Sequence, residues 1–118
     1  MKIKYSKIIP FKGFFGINLF GTLFIRDEYR NRKVGQITIN HEEIHTAQMK
    51  ELLYIPFYIL YFFEWLFWLV FGNGYYDISF EKEAYENQDN MEYLKNRKHY
   101  AMWRKKIKKE LNKEDDAT

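Results

Sequence analysis

Residues 52–71 read LLYIPFYILYFFEWLFWLVF, twenty consecutive positions interrupted by one charge, Glu64, and one proline, Pro56. Twenty apolar residues are the length of a membrane-crossing helix. Glu64 and Pro56 weaken that reading, although both residue types are tolerated in some spans. Proline removes a helical hydrogen bond and disfavours helix at the residue before it. The expectation is therefore a break near Pro56, after which residues 57–71 form a separate helix, about 22 Å long, that returns antiparallel beside the preceding one. The chain has 118 residues, which suits one domain with one modest core, and 20% of them are aromatic. So aromatic a chain either packs tightly or lies against something apolar.

The N-terminal third reads as β structure. Residues 2–9 (KIKYSKII) alternate loosely. Residues 11–27 are aromatic and β-branched, and Gly13, Gly16 and Gly21 punctuate them as turn or bulge positions. No Lys-Ser/Thr pair follows these glycines, so they do not make a phosphate-binding loop. Residues 27–33 form a polar turn, and GQITI (35–39) suits a short strand. Lys2, Lys4 and Lys7 precede an apolar run, but Pro10, Lys12 and Gly13 interrupt it and no small-residue cleavage site follows, so a signal peptide is not expected. There is no cysteine, which excludes disulfides, thiolate ligands and a cysteine nucleophile but leaves the compartment open between the cytoplasm and a membrane periphery.

The chemistry concentrates in NHEEIH, residues 40–45, which holds two of the three histidines. Asn40 reads as a helix N-cap, with Glu43 three residues on in the capping-box position. That assignment gives Glu43 a structural role and leaves Glu42 for another. His41 and His45, four positions apart, share one helix face and can offer two imidazoles to one ion. Glu42 projects about 100° away from His41, where it can take a proton from water instead of binding the metal. This is the H-E-x-x-H arrangement.

A metal site of this kind needs a third protein ligand. The candidates are His99 and the glutamates of FEKEAYEN, residues 80–87. HEEIH followed by a helix carrying E-x-x-A resembles the gluzincin branch of the zincin metallopeptidases, and NHEEIHTAQ with SFEKEAYEN looks like small bacterial zincin-like proteins. The resemblance spans roughly residues 35–90. It implies zinc as cofactor, Glu81 as third ligand with Ala84 as the small residue of the segment, and Glu42 as general base. Glu83 is the alternative ligand. Tyr85 stands where many gluzincins carry an acid after that alanine.

Reach tests the arrangement. A straight helix from His45 to Phe71 would be about 39 Å long. The ten steps from Phe71 to Glu81 cover at most about 33–36 Å. A Glu81 ligand and an unbroken span therefore exclude each other, and the break near Pro56 reconciles them.

The expected fold class is α+β: a small N-terminal antiparallel sheet followed by three to four helices, a zincin-like minimal core. One domain covers 1–118, with strands in 1–39, an active-site helix at 40–55, the apolar return helix at 57–71, and a ligand-bearing, basic C-terminal helix at 79–111. Ser79 reads as the N-cap of this last helix, and Tyr100, Trp103, Ile107 and Leu111 keep helical spacing in it. The expected function is zinc-dependent peptide hydrolysis. His41, His45 and Glu81 hold the metal, Glu42 is the base, and a sheet edge in 35–39 or 17–26 aligns a peptide or protein substrate. Tyr85, Arg97, His99 and Tyr100 are candidates by type for stabilising the oxyanion. The competing expectation is a non-enzymatic, membrane-associated helical protein with a structural or chance HExxH site. Nine Lys/Arg between Lys95 and Lys113 favour contact with a membrane surface. The acidic end of the chain and a net charge of only +3 argue against a nucleic-acid footprint.

Overall fold

The computed structural model describes residues 1–72 and 77–104. It is α+β: a three-stranded sheet precedes the helices. Strands β1 (Lys2–Ser6), β2 (Gly16–Leu19) and β3 (Thr22–Arg26) lie in the order β1-β3-β2. β2 and β3 form a hairpin in which Gly16 pairs with Ile25 and Leu19 with Thr22. Its two turn residues, Phe20 and Gly21, both have positive φ, 53° and 93°, as a tight right-twisted hairpin requires. Phe20 is held there by its ring contacts with Tyr54 and Tyr58. The sheet is mixed rather than wholly antiparallel, because β1 pairs with β3 in parallel, Lys2 opposite Thr22. The antiparallel return through β2 restores the chain direction before β3 begins.

Residues 36–39 are not a strand. Helix α1 runs Gln36–Glu51, with Gly35 as its N-cap in extended conformation, and Ile39 N–H already donates to Gly35 O. The β-branched residues of QITI thus join the first turn of α1, where Gln36, Ile37 and Thr38 stay exposed, and their weak β propensity yields to the helical hydrogen bonds that continue from Gly35. Asn40 is inside the helix and caps another: its amide donates to the carbonyls of Asn87, Gln88 and Asn90. Glu43 is not in a capping box either; its carboxylate lies 3.3 Å from the terminal ammonium of Met1. Asn40, His41, Ile44, His45, Gln48 and Met49 form the buried face of α1.

The break before the apolar segment is present, but Pro56 does not make it. Leu53 N–H bonds to Lys50 O and Tyr54 N–H to Met49 O, the two bonds of a Schellman cap, with Leu53 at φ 59° in the position glycine usually takes. Tyr54 (φ 68°, ψ −72°) then makes a tight three-residue turn, closed by Ile55 N–H on Leu53 O. Pro56 sits in the first turn of α2 (Ile55–Phe71), where its missing N–H costs nothing. The chain bends by 112° at the break, so α2 crosses α1 instead of lying antiparallel to it. Among the described residues no single helix is long and apolar enough to cross a membrane.

Helix α3 (Ser79–Asn87) starts after Ile78, which is its N-cap in place of Ser79. The capping charge comes from α2: Glu64 accepts hydrogen bonds from the Ser79 N–H and hydroxyl. The expected helix over 79–111 is interrupted. α3 ends at Asn87, a single turn α4 (Tyr93–Asn96) follows, Arg97 is extended, and helix resumes at Ala101. Arg97 is drawn inward by Glu83 and Glu51, which straightens the chain. Ile107, Leu111 and the basic tract past Arg104 lie outside the described residues. The core joins Met49, Phe57, Ile78, Phe80 and Met102, with Tyr58, Tyr61 and Trp68 against its edge.

Candidate metal centre

α1 and α3 pack side by side and bring His41, His45 and Glu81 together, all three buried. His41 Nε2 lies 3.1 Å from His45 Nε2 and 3.2 Å from Glu81 Oε1, and His45 Nε2 lies 2.9 Å from Glu81 Oε1. Atoms bound at about 2.0–2.1 Å by one tetrahedral ion stand about 3.3–3.4 Å apart, so a small rearrangement suffices. The group can hold a metal ion.

The outer ring of contacts supports this. His41 Nδ1 faces Gln88 Oε1 at 2.9 Å, and His45 Nδ1 faces Gln48 Oε1 at 2.8 Å. The Gln48 amide nitrogen donates to Phe80 O and Glu83 Oε1, so its oxygen must face His45. An acceptor on Nδ1 places the ring proton there and leaves the Nε2 lone pair pointing at Glu81 and the second imidazole. Three acceptors converging in a buried space need a cation between them, either a metal or a shared proton. In the metal-free protein the Glu81 carboxylate favours a proton on His45. Burial opposes its charged form, but the hydrogen bond and charge of Glu81 outweigh burial and push its pKa up to about 9. Burial likewise opposes the Glu81 anion, yet the two histidines hold its carboxyl well below the ordinary carboxylate range. Tyr61 donates to the other Glu81 oxygen at 2.6 Å.

Glu42 is beside the group and not part of it. Its Oε2 is buried without a hydrogen-bond partner. Burial raises its pKa and the Glu81 charge adds to that, against the opposing pull of His45 and His41. Glu42, His45 and Glu81 line a cavity of about 350 Å³, together with Asn18, Tyr58 and Tyr61. Such a volume is at the lower end for small-molecule sites.

Glu83 and His99, the alternative ligands, are elsewhere. Glu83 is buried on another side of α3, where it bonds Arg97, Tyr93 and Gln48. His99 is almost wholly exposed and pairs with Glu51. Of the four residues considered for the oxyanion, only Tyr85 touches the group, with its ring edge-on to His41 at 4.6 Å. Arg97 and His99 turn to Glu51, and Tyr100 donates its backbone N–H to Glu51 while its ring stacks on Trp103. Sequence reasoning missed Gln48, Gln88, Tyr61 and Asn18. Gln48 had a readable signal, three positions past His45 on the same helix; the other three come from remote segments. Comparison with protein-family models, curated proteins and solved structures finds no match for this chain.

Proposed function

We propose that this protein is a zinc-dependent peptidase. The observation that carries the reading is the triangle of His41 Nε2, His45 Nε2 and Glu81 Oε1, with His45 and Glu81 lining one cavity together with Glu42, whose Oε2 is buried and unpartnered. Two imidazoles and one carboxylate are a donor set suited to zinc, and they leave one position open. Zinc held there supplies Lewis acidity toward a scissile carbonyl and an attacking water near neutral pH.

The chain's own groups do the rest. Glu42 takes the proton of the attacking water and delivers it to the leaving amine, a task for which its unpartnered carboxylate oxygen in the cavity is placed. Tyr61 holds the second Glu81 oxygen and so orients the carboxylate. β2 is an edge strand, and Gly16, Ile17 and Asn18 line the same cavity. Arg26 N–H bonds to Phe15 O, so odd-numbered residues of β2 face β3 and the peptide groups of Gly16 and Asn18 face the open side. Tyr58 takes up Asn18 O and Phe20 N–H. Gly16 therefore offers the nearest free rung for an extended peptide.

The test combines metal analysis with hydrolysis. Reconstituted protein is expected to bind about one zinc per chain and to cleave peptides from a mixed library. Glu42→Gln is expected to keep the metal and lose cleavage. No zinc after reconstitution would remove the reading.

A further inference from the structure

We infer that α2 docks the protein onto an anionic lipid bilayer, lying within one leaflet beside the mouth of the metal-site cavity. Among the described residues α2 is largely uncovered. Phe57 is its one buried residue, while Ile59, Phe63 and Val70 are 51%, 61% and 73% exposed. Phe62, Phe67 and Phe71 are exposed as well. At about 100° per residue, the exposed apolar positions sweep about 240° of the helix circumference. A partner helix or a second copy covers a stripe of little more than about 100°. An arc this wide calls for a surrounding apolar medium. At 17 residues the helix is about 25 Å long, short of the roughly 30 Å hydrocarbon core, so it enters one leaflet and does not cross.

A second element reaches the same cavity. In the loop between β1 and β2, Phe11 is 82% exposed and bonds through its carbonyl to Phe14 N–H. Phe14, also exposed, lines the cavity opposite Tyr58 and Tyr61 of α2. Two exposed lysines belong to the same loop, Lys7 before Ile8 and Lys12 between Phe11 and Phe14. α2 carries no basic residue and only Glu64 as an acid, and Glu64 is committed to Ser79. The apolar face of α2 is therefore free of cations, Lys7 and Lys12 place cations in the neighbouring loop, and the net charge of +3 complements acidic headgroups.

The experiment is flotation of the full chain with vesicles of phosphatidylcholine containing about one third phosphatidylglycerol, against phosphatidylcholine alone, with tryptophan fluorescence in brominated lipids. The expected result is flotation with both compositions, at least several-fold stronger with the anionic vesicles, and quenching that weakens in Trp65→Phe. Phe63→Glu with Val70→Glu, both at exposed positions that leave the core intact, is expected to cut partitioning at least tenfold at unchanged circular dichroism. His41→Ala should float like the parent, because docking does not depend on the metal reading. A chain that stays with the soluble fraction in both vesicles overturns the inference. So does a stable dimer whose α2 is protected and which ignores lipid.

Discussion

At the residue scale, the centre depends on a division of labour among neighbours. His41 and His45 each turn one ring nitrogen to a glutamine oxygen and leave the other to a metal ion that the group could hold. His41→Ala or His45→Ala is expected to abolish stoichiometric metal, measured by elemental analysis after dialysis. Metal entry must also displace the proton that His45 shares with Glu81. The raised His45 pKa, about 9, stabilises the metal-free fold fully below the unfolded histidine value of about 6.5, and that contribution is lost as pH rises through 9. The depressed Glu81 pKa acts in the opposite direction. Its contribution is present above the unfolded value of about 4.3 and is lost as pH falls. Zinc titrated at pH 7.5 should therefore release about one proton per ion, read as a dependence of binding heat on buffer ionisation enthalpy, and the release should vanish above pH 9. Equal heats in all buffers at pH 7.5 would show that the site is already deprotonated.

Elements carry the next set of consequences. Glu81 and Glu83 are both buried on α3, with opposite duties. Glu81→Ala should weaken metal binding far more than Glu83→Ala. The latter leaves Arg97 buried with only Glu51 as a charged partner, and should cost about 3 kcal/mol of stability in urea unfolding. A smaller effect on metal is expected there too, since Glu83 fixes the Gln48 amide that sets the His45 proton. The corner between α1 and α2 gives the reverse sign. Leu53 is mostly exposed, so its left-handed backbone is not offset by burial. Leu53→Gly should raise stability by about 0.5–1 kcal/mol; a lower denaturation midpoint would mean that the leucine side chain is in use.

Across the whole molecule, a metal held by His41, His45 and Glu81 would tie α1 to α3 and so couple site to fold. Zinc at about one hundred times its dissociation constant should add about 2.7 kcal/mol, moving the thermal midpoint up by roughly 10 °C, and a chelator should reverse it. Much of this architecture could be read from the chain. The four-residue spacing of His41 and His45 is helical geometry, the β-rich N-terminus follows from local composition, and the need for a break before residue 57 follows from chain length once Glu81 is taken to meet the histidines. These are short-range facts, and local physics decides them. Other features depended on segments meeting in space. Asn40 caps α3 instead of its own helix, Glu64 serves Ser79 from another helix, and Leu53 with Tyr54 turns the chain that Pro56 was expected to turn. Glu81 and Glu83 could not be separated by spacing. What separated them was Arg97, fourteen residues beyond Glu83, which occupies one carboxylate and leaves the other facing the histidines. Hydrogen-bond partners of buried polar groups are chosen by proximity after folding, and sequence separation carries almost no information about that choice.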